Sequence, residues 1–198
     1  MIIDEYATVN EAITLRRVIE RSRFLAHVKE VESEEEARQF INAIKEEHRQ
    51  ATHNCSAYAI GLPPEPIHFS DDDGEPGGSA GKPILGAILK QELTNVAVVV
   101  TRYFGGKKLG IRGLIDAYGG VAEEALVAAG RKTKILETQI PLRCTYDQVN
   151  RVMYLVEKYK AKIKDSNYAE QVDLNLIVRQ SLARQLKQEL EPYVELKG

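Results

Sequence analysis

Tryptophan is absent, and cysteine and methionine occur only twice each in 198 residues. The two cysteines, Cys55 and Cys144, have no CxxC partner and no histidine at ligand spacing, which excludes a disulfide framework and a zinc site; both read as buried thiols. Long apolar runs are also missing. None exceeds the five residues of Val96 to Val100, far too short to cross a bilayer. The first twenty residues carry Asp4, Glu5, Glu11 and Glu20 in place of an apolar block, so neither a secretory nor a transit leader is expected. A cytoplasmic protein with no membrane segment is the expectation.

A large net charge is lacking too. At −2 the total gives no bulk electrostatic pull toward nucleic acid. Its distribution is uneven: residues 132–198 hold 12 Lys and Arg against 9 Asp and Glu, and the remainder 15 against 20. This asymmetry points to two domains with different partners. With 43% apolar and 28% charged residues, the chain has the composition of a globular protein, long enough for one large domain or two small ones.

The periodicities place alternating strands and helices along the whole chain. Strands are expected near Ile13–Ile19 and Phe24–Val31. Ser33 with Glu36 three residues on forms a capping box, and Ala37, Phe40, Ile41 and Ile44 give the following helix one apolar face. Cys55–Ile60 reads as a strand closed by Gly61 and a proline cluster, with Pro83 as the first residue of a helix through Ile84 and Ile88. Val96–Val100 is continuously apolar, as in a strand covered on both faces. A helix after residue 110 carries Leu114, Tyr118, Val121, Ala122, Ala125 and Leu126 on one stripe. Gly119 and Gly120 within it cost about 1 kcal/mol each relative to alanine, so the sheet or a ligand must approach there. Arg131–Lys134 is expected to be a basic linker. Beyond it lie a strand from Leu136 to Cys144, a helix capped by Thr145 and Gln148, strands starting near Lys162 and Val172, and a helix ending at Pro192. The order β-α-β-β-α is most of a ferredoxin-like unit.

Two segments carry chemistry. In GGSAGKP the glycine that GxxxxGK[ST] requires would stand at Pro76, and Pro83 follows Lys82 where Ser or Thr is needed, so the cradle and the magnesium hydroxyl of a nucleotide-hydrolysing loop are missing. Ser79 and Lys82 at a helix start can still hold a single anion. In TRYFGGKKLGIRGL, Arg102 ends a strand, Gly105, Gly106 and Gly110 permit close approach, and Lys107, Lys108 and Arg112 add positive charge. Tyr103 and Phe104 supply aromatic surface for stacking. His68 and the run Asp71, Asp72, Asp73 and Glu75 resemble hard-metal ligands, but the calcium-loop spacing is not met and a solvated turn is favoured. His53 could act as a general base, yet no nucleophile is paired with it. Tyr146, Tyr154, Tyr159 and Tyr168 with Lys158, Lys160, Lys162 and Lys164 make a second, more diffuse basic and aromatic patch.

At these motifs the chain resembles the YigZ/IMPACT family. The matching segments are Ser22-Arg23-Phe24, Ala51 with His53, Ala57-Tyr58, Ser70 through Pro76, Ser79 through Pro83, Arg102 through Gly106, Leu109-Gly110 and Ala117-Tyr118. The resemblance implies an α+β fold. Its N-terminal α/β domain (residues 1–131) would be like the second domain of a small-subunit ribosomal protein, and its ferredoxin-like C-terminal domain (132–198) similar to the last domain of elongation factor G. It further implies a translational regulator linked to the amino-acid starvation response, as in eukaryotic relatives. Arg112 stands where the family pattern has glycine, and Asp116 where it has a basic residue; at i, i+4 the two could pair. The Asp71–Asp73 triple is one residue longer than the usual double.

The expected function is therefore a non-enzymatic protein, without metal or cofactor, that binds RNA, the ribosome or a translation-associated protein. Arg102, Lys107, Lys108, Arg112, Lys82 and Ser79 would meet phosphates, with His53, Tyr103 and Phe104 shaping the site. A metal-assisted hydrolase built on Asp71–Glu75 and a purely protein-binding regulator are the alternatives.

Overall fold

The computed structural model describes residues 4–197. In chain order the elements are β1 (Glu5–Val9), β2 (Ile13–Ile19), β3 (Ser22–Glu30), α1 (Glu34–Glu47), β4 (His53–Ile60), β5 (Ile67–Asp71), α2 (Gly81–Lys90), β6 (Val96–Tyr103) and α3 (Gly110–Ala128). They continue with β7 (Arg131–Ile135), β8 (Glu137–Cys144), α4 (Val149–Lys158), β9 (Lys162–Tyr168), β10 (Val172–Arg179), α5 (Gln180–Leu190) and β11 (Glu195–Leu196). Two compact units result. One is Tyr6–Lys134, and the other takes Ile135 onward together with Asp4 and Glu5. A two-stranded sheet pairs β1 with β7. Among the described residues no helix is long and apolar enough to cross a membrane.

The first unit is organised by β6. Its sheet has the order β2-β3-β6-β4-β5, and every ladder is antiparallel. Since β3 and β4 both run against β6, they run parallel to each other across it, joined through α1 as a split β-α-β unit. Strand side chains alternate between faces. Val96, Val98 and Val100 pack with Phe24, Ala26, Ile84, Ile88, Leu114 and Tyr118 under α2 and α3. Ala97 and Val99 pack with Ala37, Ile41, Ile44 and Tyr58 under α1. The continuously apolar strand is therefore covered on both faces, as its composition predicts.

Local signals behave physically, with informative exceptions. Ser33 Oγ accepts from the Glu36 N–H at 3.2 Å, a cap worth about 1 kcal/mol. The Glu36 carboxylate reaches Glu32 N–H rather than the capping residue's own. Pro83 is the third residue of α2, not the first, and is tolerated because the N–H it lacks would have no intrahelical acceptor in that turn. Thr145 and Gln148 form only half a box, Gln148 Oε1 accepting from Thr145 N–H and Oγ1. What approaches Gly119 within the protein is α2 and not the sheet: a Cβ there would touch Pro83, whereas Gly120 has no neighbour within 4 Å. Arg131–Lys134 is strand rather than linker, and β5 is a strand within the stretch read as a loop.

The second unit completes the ferredoxin-like pattern. The short β11 adds the last strand, and the sheet order β11-β8-β10-β9 places the first and third strands centrally. Ile140, Leu142, Leu174 and Leu176 bury one sheet face against Val152, Leu155, Leu186 and Leu190 of α4 and α5. Both cysteines are buried free thiols. Of the four tyrosines of the expected patch, Tyr146, Tyr154 and Tyr168 are exposed, while Tyr159 is buried and donates to Glu189 at 2.6 Å. Lys158 pairs with the same Glu189, so Lys158 and Tyr159 of that patch already have a partner within the protein.

Candidate functional site

The acidic loop after β5 is an internal brace. Asp72 Oδ1 accepts the Ala80 and Gly81 N–H groups at 3.0 and 2.8 Å, and its Oδ2 accepts Gly78 N–H at 2.7 Å. It thus caps α2 from eight or nine residues upstream, where Ala80 offers no side-chain cap. Partial burial pushes the Asp72 carboxyl up, but the three N–H groups and the charge of Lys82 outweigh it and hold it below the ordinary value. Asp71 and Asp73 both accept from Lys45 Nζ, at 3.1 and 2.7 Å, and Asp73 also accepts from the backbone of Asn54. Among the described residues no three His, Cys, Asp or Glu side chains are grouped to hold a metal ion.

Glu75 reaches furthest inward. Its Oε1 accepts from Arg102 Nη1 at 2.6 Å and from Tyr118 Oη at 2.8 Å, all three side chains being buried. The register explains the meeting. His53 pairs with Arg102 across β4 and β6, and Arg102 with Phe24 across β6 and β3, so the three share one face beneath the loop. Ser22 Oγ closes the end of the network, accepting from Arg102 Nη2 at 3.4 Å and Gly105 N–H at 3.3 Å. Gly105 lies so close to the Arg21 carbonyl that a Cβ would overlap it. Cys55 Sγ donates to Asp72 O at 3.0 Å, and burial pushes its thiol up to about 12, which removes it as a nucleophile.

Above this network opens a cleft of about 420 Å³ with a polar floor of His53, Glu75 and Arg102 and apolar walls of Phe104, Leu109, Ile111 and Leu114. Lys108 stands at its rim. Nothing on Leu109 caps α3, and its first turn has no acidic residue, so a 19-residue helix presents its N-terminus here with its dipole unopposed. Phe104 is 47% exposed and Ile111 64%, although apolar groups of this size are usually covered.

Of the nine residues proposed from sequence to form one site, His53, Arg102, Phe104 and Lys108 line this cleft. The others are placed elsewhere. Lys107 is paired with Glu20 and lines a neighbouring groove with Asp116. Arg112 is exposed on the first turn of α3 and makes no ion pair with Asp116 among the described residues. Lys82 is exposed in the first turn of α2, and Ser79 is buried with its hydroxyl donating to Pro76 O at 2.6 Å. Tyr103 follows Arg102 in the strand and so points to the opposite face, where it meets His48 Nδ1 at 3.0 Å and lies beneath the Arg23 guanidinium. The charge of Arg102 is already matched by Glu75. Leu109, Ile111 and Leu114 were not singled out as site residues. Ile111 carried a signal, since it is apolar yet lies off the buried stripe of α3.

Comparison with known proteins identifies relatives of both units. The Impact N-terminal domain matches residues 20–126, more than half of the chain. A domain of unknown function, DUF1949, matches residues 142–191. The IMPACT family member YvyE of Bacillus subtilis (strain 168) is 40% identical over 178 residues, covering 90% of this chain and 82% of its own length. The IMPACT family member YigZ of Escherichia coli (strain K12) is 35% identical over 79% of this chain and 77% of its own. A crystal structure of a hypothetical protein superposes with a TM-score of 0.70 at 29% identity, covering 98% of this chain and 97% of the other.

Proposed function

Because the chain belongs to the IMPACT family, we propose that it is a translation-associated regulator, a binding module rather than a catalyst, that holds RNA through the cleft of its first unit. The observation that carries this reading is the half-exposed Phe104 ring beside Lys108 at an uncapped helix start. An aromatic face stacks on any base, and cations with free N–H groups meet phosphate. Arg112, exposed in the first turn of α3, adds a second cation at that helix start. The buried Arg102 sets the floor of the site and is not counted among the phosphate contacts.

Ribosome co-sedimentation over a range of salt, with and without nuclease, tests the reading directly. Binding should weaken with salt and be lost after nuclease treatment. The Lys108→Ala/Arg112→Ala variant should lower the salt slope for single-stranded RNA by roughly 1.4, about 0.7 for each phosphate contact removed. Phe104→Ala should cost about 1–3 kcal/mol of affinity. Nuclease-resistant binding would transfer the site to a protein partner, for which Phe104 and Ile111 offer apolar surface.

A further inference from the structure

Two hydrogen-bond acceptors face the cleft with no donor between them. His53 Nδ1 lies 2.8 Å from the carbonyl oxygen of Asp73, which can only accept, so the neutral ring carries its proton there. Nε2 is then an acceptor, 3.8 Å from Glu75 Oε2. In that neutral tautomer neither atom donates to the other, and at 3.8 Å they are beyond hydrogen-bond distance. The Glu75 side chain is only 4% exposed; its Oε1 is taken by Arg102 and Tyr118, and its Oε2 accepts no hydrogen bond among the described residues. Both residues line the cleft, so these acceptors are open to a ligand, and a group offering two hydrogens would satisfy both at once.

The rest of the cleft describes the remainder of such a ligand. Phe104 and Leu114 provide a flat apolar surface, while Lys108 and the α3 N-terminus at Gly110 and Ile111 favour an anion. The volume of about 420 Å³ lies within the usual range for small-molecule sites. We propose that the cleft recognises a nucleotide whose base carries an exocyclic amino group. The amino group donates to His53 Nε2 and Glu75 Oε2, the base rests on Phe104, and the phosphate meets the α3 N-terminus and Lys108. Uracil puts a carbonyl oxygen where cytosine has its amino group, which would set a third acceptor against these two. This inference rests on the cleft being the nucleotide site, and its chemistry is shared by a free mononucleotide and an unstacked nucleotide within a strand.

Calorimetric titration of the full chain with cytidine monophosphate, uridine monophosphate and unphosphorylated cytidine tests it, alongside cytosine-rich and uracil-rich oligonucleotides. The cytidine nucleotide should bind at least about tenfold tighter than the uridine nucleotide. Cytidine should bind more weakly than its phosphate, and His53→Ala should bring the two nucleotides toward equal affinity. Because the comparison between nucleotides uses the unaltered protein, it survives a variant that fails to fold. Equal affinity for the two, or binding of neither, overturns the proposal. If neither mononucleotide binds but both oligonucleotides do, through Lys108 and Arg112, this inference falls and the RNA reading stands. Preference among mononucleotides with no retention of either oligonucleotide would support the pocket and overturn RNA as its source.

Discussion

Between Asp71 and Glu75 every carboxylate is met by a donor inside the protein: Lys45 for Asp71 and Asp73, three backbone N–H groups for Asp72, and Arg102 with Tyr118 for Glu75. Between Phe104 and Arg112 the pattern reverses, with Lys108 and Arg112 exposed, Phe104 and Ile111 uncovered and a helix start left uncapped. Both segments are rich in charge and glycine. Charge density therefore does not separate scaffold from site here. What separates them is whether the hydrogen-bonding capacity is already spent, as it is on the acidic side apart from Glu75 Oε2.

Breaking the spent side should have the largest effect. Glu75→Ala leaves the Arg102 guanidinium buried without its carboxylate, and urea denaturation should show a loss of about 3–5 kcal/mol. Replacing both partners with apolar residues, as in Glu75→Leu/Arg102→Met, should recover much of that loss; failure to recover it would mean that Tyr118 and Ser22 depend on the pair as well.

Acid sharpens the comparison by titrating buried groups one after another. His27 is buried on the α1 face with its ring 5.0 Å from that of His48, and burial first, then the His48 charge, depresses its value to about 4. The unfolded chain therefore takes up this proton below about 6.5 while the folded protein does so only near 4. Stability from this group is fully present above about 6.5 and falls by about 3 kcal/mol as pH drops through that window. His27→Gln should flatten this part of a stability profile. Asp72 acts lower: its folded value is depressed, so its contribution is present above the ordinary Asp value and lost as pH falls through the folded one.

At neutral pH, Asp72→Ala should cost about 2 kcal/mol, the worth of a charged cap on three N–H groups. A cost near zero would contradict the bracing role given to this loop. The smallest effect on stability is expected on the unspent side, where Lys108→Ala/Arg112→Ala should stay within about 0.5 kcal/mol of the parent in urea. The same variant is the one expected to change the salt dependence of RNA binding. That crossing of effects is the sharpest test of the contrast.

Much of this was legible in advance. The apolar stripe of α1, the doubly covered Val96–Val100 and most of the ferredoxin-like order follow from periodicities of 3.6 and 2. The elements missed were those without such a pattern. β5 is an edge strand whose first three residues are all exposed, and β7 reads as a run of charge. Within the site, period-2 alternation alone separates Tyr103 from Arg102, and that could have been read from the strand. The bond from Glu75 to Arg102 could not, because it joins residues 27 apart and depends on how β4, β6 and the loop after β5 are laid together.

By itself, then, the amino-acid order determined which segments form helices and strands, which faces are apolar, where basic and acidic residues concentrate, and which family the chain resembles. These are local properties, set by side-chain chemistry at fixed spacing. Only the tertiary structure decided which of those charges remain available. Partners such as Lys45 with Asp73, Asp72 with the start of α2, and Glu75 Oε1 with Arg102 and Tyr118 are chosen by strand register and loop path, and an atom once paired in the interior is no longer free to meet a ligand, which leaves Oε2 of Glu75 but not its Oε1.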